Sequence, residues 1–156
     1  MHIKREELKE FKRFNGPLID VRSPCEYYKG HMPNSINIPL FDNDERAIVG
    51  KIYKKNGREK AVTQGLKFVE IKIERLLNSI FECIEKHKYN NSDKYAGNSL
   101  IRIYCARGGM RSLSIGWLLE KFNFNIITLK GGYKNYRRWI LAVSYTHLTL
   151  PTICSV

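Results

Sequence analysis

Apolar and polar positions change period several times along the chain, and each change marks an element. Pro17-Leu18-Ile19-Asp20-Val21 is a short apolar run that passes into a charged Asp-Val-Arg step. It predicts a buried strand with its polar end exposed. Ser23-Pro24-Cys25-Glu26 then has the order of a helix start, with Ser23 as N-cap, Pro24 at the first helical position and Glu26 completing the cap. Gly30 ends that helix, and Ser35 to Pro39 alternates as a second strand that Pro39 closes. From Asp44 to about His87 the pattern is helical, with one break near Asn56-Gly57. Its second half repeats Val62, Leu66, Val69, Ile73, Leu76, Ile80 and Ile84 at steps of three and four, the stripe of a helix whose apolar face meets a core.

Asn90 to Asn98 is polar and predicts a loop. Leu100 to Tyr104 is a third strand, which delivers Cys105 at its end. Ser112 to Phe122 puts Leu113, Trp117, Leu118 and Phe122 on one helical face, and Asn125 to Leu129 is another β-rich run. Strands alternate with helices, which predicts an α/β domain with a mainly parallel central sheet flanked by helices. In such sheets sites lie at the carboxyl ends of the strands, where Cys105 falls.

At 156 residues the chain is long enough for one domain with a sizeable core and too short for two full ones. Lys and Arg number 27 against 15 Asp and Glu, a formal net charge of +12. That surplus attracts polyanions but names no partner. There is no run of about 18 apolar residues and no secretory signal pattern in MHIKREELKEFKRF, so no membrane span is expected and the cytoplasm is the default location. The last residues, VSYTHLTLPTICSV, carry no charged side chain after a densely charged chain. SYTHLTLPT resembles translated sequencing-adapter read-through. The domain is therefore expected over 1–142, residues 143–156 are read as a non-native tail, and the natural chain is expected to continue past Leu141. His147 and Cys154 receive no functional reading.

The remaining cysteines, Cys25, Cys83 and Cys105, form no CxxC pair, so no zinc site or disulfide framework is expected. Cys25 and Cys83 sit in helical patterns and are expected as buried small hydrophobes. Cys105 differs, because it heads Ala106-Arg107-Gly108-Gly109-Met110-Arg111-Ser112. Gly108 and Gly109 permit positive φ and close approach, and the helix N-terminus expected near Arg111 adds partial positive charge. The loop can turn its backbone N–H groups on one point as an anion nest. Arg111 and Arg107 are the candidate clamps for tetrahedral oxygens. The same field favours the thiolate, so Cys105 is the candidate nucleophile. Asp20 and Arg22 are expected to hold neighbouring loops through an ion pair or hydrogen bonds, and His31 to act as a structural hydrogen-bonder. Asp42 to Arg46 reads as a helix cap, not a metal cluster, and no metal is expected. Lys130, Lys134, Arg137 and Arg138, interleaved with Tyr133, Tyr136 and Trp139, suit nucleic-acid contact. A solvated basic helix face with inward aromatics explains them equally well.

Strand, cysteine-led anion loop and helix occur both in cysteine-dependent phosphatases and in rhodanese-like sulfurtransferases. The five residues between Cys105 and Arg111 match the phosphatase spacing, while Tyr104 stands where a phosphatase usually has His. IDVRSPCEYYKGHMPNSINIPL resembles the rhodanese signature. Together with FDNDERAIVGKIYKKNGREKAVTQGLKFVE, YCARGGMRS and GGYKNYRRW, it resembles the rhodanese domain of the tRNA 2-selenouridine synthase family. The resemblance implies a selenotransferase that replaces sulfur at C2 of 2-thiouridine, at the wobble position of tRNA, with selenium from selenophosphate. Cys105 matches the family's essential cysteine and would carry the selenium, and selenophosphate synthetase would supply the donor. No bound cofactor is implied. The family also forms a geranylated intermediate, from geranyl diphosphate, with a C-terminal P-loop domain, and no GxxxxGK[ST] occurs in these 156 residues. A plain sulfurtransferase using thiosulfate or a persulfide, and a noncatalytic tRNA-binding module, stay open as alternatives.

Overall fold

A computed structural model describes residues 3–90 and 100–155. Five strands, β1 (Lys4–Glu6), β2 (Leu18–Asp20), β3 (Ile36–Asn37), β4 (Leu100–Tyr104) and β5 (Asn125–Leu129), form one parallel sheet in the order β1-β5-β4-β2-β3. The helices are α1 (Leu8–Arg13), α2 (Pro24–Lys29), α3 (Asn43–Asn56), α4 (Arg58–Asn90), α5 (Met110–Glu120) and α6 (Gly132–Ser155). Because every strand runs the same way, the ends of β2, β4 and β5 share one edge of the sheet.

Alternation along the strands divides the core in two, since successive side chains point to opposite faces. Ile19, Val21, Ile101, Ile103 and Cys105 pack with Leu76, Ile80 and Ile84 of α4 and with Ile115 and Leu119 of α5. Leu18, Tyr104, Ile127 and Leu129 pack on the other side with Leu8 and Phe11 of α1 and Tyr136 of α6. The thiol of Cys105 therefore belongs to the α4 and α5 side of the sheet.

The expected strands and helices are present, including the break at Gly57. Of the polar loop expected at Asn90 to Asn98, Asn90 is the last residue of α4 and residues 91–98 lie outside the described residues. Three readings are corrected. Helix α5 buries Ser112, Ile115, Gly116 and Leu119, while Trp117 and Phe122 are exposed, so its inner face is opposite to the expected one. Gly116 explains this, since an added Cβ would lie 3.3 Å from Ile126 and 3.0 Å from Ile3, an approach to β5 that only a small residue allows. In α4 the expected stripe is buried at Leu76, Ile80 and Ile84, and Val69 packs half-buried against the same core, but Leu66 is 65% exposed. The first half of α4 packs on α3 and Phe41 through Ala61 and Gly65, which turns Leu66 and Ile73 outward. Cys83 is buried as expected, whereas Cys25 is exposed. Cys25 lies in the first turn of α2, a helix with no buried residue.

Candidate active site

The site is assembled where β4 ends. Cys105 is buried, at 2% exposure. Its Sγ–H points to Ser112 Oγ at 3.2 Å, and the Ser112 hydroxyl in turn faces the Gly109 carbonyl at 3.2 Å. If the thiol ionises, that hydroxyl can turn to donate to the sulfur. Gly108 takes φ +68°, and among the described residues no backbone acceptor takes the N–H groups of residues 106–111. Those donors, together with the unpaired first turn of α5, are the features of an anion cradle.

The seat of this loop is Gly131-Gly132. Tyr133 N–H donates to the Cys105 carbonyl at 2.8 Å, and Lys134 N–H donates to the Ala106 carbonyl at 3.0 Å. Gly132 takes φ +59°, and a Cβ there would lie 2.4 Å from the Cys105 carbonyl oxygen and 2.6 Å from Gly108 N. In the sequence these glycines stand out only as the start of the GGYKNYRRW block. Their signal was a Gly-Gly pair directly after a strand and before a helix.

Arg111 does not stand free over the loop. Its two outer nitrogens bind Glu26 at 2.8 and 3.2 Å, and Glu26 Oε1 also accepts from the Ser23 hydroxyl at 2.9 Å. Burial works to raise the Glu26 carboxyl, but Arg111, by hydrogen bond and charge, and the Ser23 donors outweigh it and hold the group down at about 2. The sequence assigned Glu26 only to the helix cap; its link to Arg111 spans 85 residues.

Asp20 and Arg22 form a buried ion pair, Nη2 to Oδ2 at 2.7 Å. Arg22 also donates to the Gly30 carbonyl at 2.7 Å and lies 4.0 Å from the Tyr133 ring. Burial works to lower its guanidinium, and the hydrogen bond and charge of Asp20 overcome this and raise it. The pair thus joins the end of β2 to α2 and α6. His31 is exposed, stacks on Tyr27 at 3.7 Å and bonds through Nδ1 to the Tyr27 carbonyl at 2.8 Å. Tyr104 is buried beneath the site, where its hydroxyl accepts from Met32 N–H and donates to Ser35 Oγ, both at 3.0 Å. Asp42 and Glu45 cap α3 reciprocally.

The basic residues separate. A cleft of about 450 Å³ beside the loop is lined by Arg22, Lys29, Arg107, Tyr133, Lys134 and Arg137, among others. Lys130 pairs with Glu7 at 3.0 Å, and Arg138 is exposed outside the cleft lining. Tyr136 is buried, and Tyr133 is packed between Arg22 and Tyr136. Trp139 meets Lys12 at 3.6 Å.

The Rhodanese-like domain family matches residues 4–138. Over 139 residues the chain is 37% identical to a tRNA 2-selenouridine synthase of Proteus mirabilis (strain HI4320), a match covering 88% of this chain and 35% of that protein. It is also 37% identical over 128 residues to the synthase of that name from Sulfurovum sp. (strain NBC37-1), covering 81% of this chain and 32% of that protein. The chain spans about a third of the length of these curated relatives. Among solved structures, the N-terminal domain of a protein described as ATP/GTP binding, from Clostridium difficile 630, is 36% identical, with a TM-score of 0.74, over 88% of this chain and 99% of that chain.

Two outcomes follow from this geometry. Gly132→Ala should lower unfolding free energy by about 3 kcal/mol or more, because a strained φ and three backbone clashes combine. Gly109→Ala, whose Cβ would meet nothing within 4 Å, should cost under about 1 kcal/mol; chemical denaturation of both variants compares them. Glu26→Gln should cost roughly 1–3 kcal/mol at neutral pH, between the values for exposed and buried pairs. Since the Glu26 carboxyl is lowered from 4.5 to about 2 in the fold, its contribution is complete above about pH 4.5 and is lost as pH falls through about 2. The stability gap between wild type and Glu26→Gln should close over that window, and a gap that stays constant would contradict the assignment.

Proposed function

The chain belongs to the rhodanese-like domain family, and from that premise we propose that it is the selenium-loading domain of a tRNA 2-selenouridine synthase. The overall reaction replaces sulfur by selenium at C2 of 2-thiouridine, at the wobble position of tRNA, with selenophosphate as donor. The observation that carries this reading is Cys105, a buried thiol beside Ser112 Oγ beneath a loop whose N–H groups have no backbone acceptor among the described residues. The 37% identity to the synthases over this same domain supports the choice of donor and acceptor.

The half-reaction these residues account for is the loading of Cys105. Selenophosphate binds with its oxygens on the N–H groups of residues 106–111. The Cys105 thiol gives up its proton to solvent, the thiolate attacks selenium and an S–Se bond forms, and the Se–P bond breaks with its electron pair on phosphorus, which takes up a proton and leaves as phosphite. The product is a cysteine perselenide, and oxidation states balance without an added oxidant. The Ser112 hydroxyl donates to the thiolate before attack, and the α5 N-terminus offsets the anion's charge. The tRNA backbone approaches along the cleft of Arg107, Lys134 and Arg137, whose charges suit phosphate contact. No helix among the described residues is long and apolar enough to cross a membrane, and we place the reaction in the cytoplasm with its tRNA.

Intact-mass spectrometry after incubation with selenophosphate should show one added selenium, absent from Cys105→Ser, with phosphite in the supernatant. Sulfur uptake from thiosulfate without selenium uptake would assign a plain sulfurtransferase, and no adduct on folded protein would leave a binding module. For tRNA, Arg137→Glu should weaken binding and make the salt dependence shallower by about one unit of slope. Arg138→Glu, outside the cleft, should change both far less. Equal effects of the two would remove the cleft from the proposal.

A further inference from the structure

Arg111 is the arginine the loop sequence offers as an anion clamp, yet both of its outer nitrogens are committed to Glu26. A second guanidinium reaches the same carboxylate from another element. Arg46 lies in the first turn of α3, and its Nε stands 3.6 Å from Glu26 Oε1. That nitrogen is buried without a hydrogen-bond partner. The side chain as a whole is 40% exposed, so its outer nitrogens have access to solvent. Nη1 runs over Gly50, where a Cβ would lie 2.6 Å away.

The placement of Arg46 is fixed from several sides. Asp42 and Glu45 cap the helix that carries it, Asn43 Oδ1 accepts from Cys25 N–H at 2.8 Å, and Lys72 of α4 ion-pairs with Glu45. Helix α3 is thereby pinned to the start of α2 beside the loop. Burial, then the positive charge of Arg111, hold the Arg46 guanidinium below its ordinary range; Arg107 adds to this, while Glu26 and Cys105 act the other way. Two guanidinium groups share one carboxylate, which leaves one positive charge uncompensated. A bound oxyanion at the outer nitrogens of Arg46 would neutralise it.

We propose that Arg46 is an anion-binding side chain of the Cys105 site, receiving the donor's tetrahedral oxyanion from the α3 side while Arg111, held by Glu26, acts as a positioning residue. This rests on the reading of the loop as an anion cradle. The assignment moves the clamp from Arg111 of the loop to a residue 65 positions earlier in the chain, and makes the α3 and α4 hairpin part of the donor site.

The test is protection of Cys105 from iodoacetamide by inorganic phosphate, followed by mass spectrometry at low ionic strength. Arg46→Met should raise the phosphate concentration for half-protection about tenfold or more, Arg46→Lys should recover much of that loss, and the thermal midpoints should stay close to wild type. A purely structural role for Arg46 would shift the midpoint without moving half-protection. Unchanged half-protection in Arg46→Met, with wild type protected, overturns the inference alone. Absence of protection in wild type overturns it together with the cradle beneath it. Selenium loading that fails while the Arg46 effect persists would sink the proposed reaction and leave the anion site standing.

Discussion

The N–H groups of Tyr133 and Lys134 point into the carbonyls of Cys105 and Ala106, and this backbone contact determines what the loop can do. A helix leaves its first N–H groups without partners, and a strand that ends leaves carbonyls in the same condition. Here the two deficits satisfy each other. The loop's carbonyls are thereby occupied on one side, so its own N–H groups remain for a ligand. The approach is so close that no side chain fits between: Gly132 meets the loop with φ +59° and no room for a Cβ. Cys105 sits on the opposite face of β4 from Tyr104, so the same strand end presents a thiol to one layer and seats the loop on the other.

Charge is distributed around that seat with similar economy. Asp20 neutralises Arg22 in a fully buried pair that joins β2, α2 and α6. Leaving either partner alone would strand a charge away from water, so the pair acts as a constraint on the three elements more than as a source of net stability. Glu26 does the same for Arg111, but it is shared with Arg46. The result is a site with order in its arginines and a residual positive charge, which suits an anionic donor better than a fully paired or a fully unpaired set would.

The parts of this arrangement that rest on local pattern were legible in the sequence. The β4 strand, the Cys105 loop and the capped starts of α2 and α3 each come from period, glycine and cap chemistry within a few residues. The strand β1, Lys4-Arg5-Glu6, has no apolar run and forms only because it pairs with β5 at the sheet edge. Helix α5 carries Leu113, Trp117 and Leu118 on one side and Ser112, Ile115, Gly116 and Leu119 on the other; the bulk of Trp117 favoured the first, and close approach at Gly116 selected the second. The alliance of Glu26, Arg46 and Arg111 draws on three elements far apart in sequence. Only the folded sheet brings them together.

The central claim is that Cys105 accepts selenium inside an anion cradle built by residues 106–111. Anomalous diffraction at the selenium edge from crystals exposed to selenophosphate tests it most directly. The account predicts one selenium peak at covalent-bond distance from Cys105 Sγ, within reach of the loop N–H groups. A well-ordered loop with an intact thiol and selenium bound elsewhere, or nowhere, would contradict it.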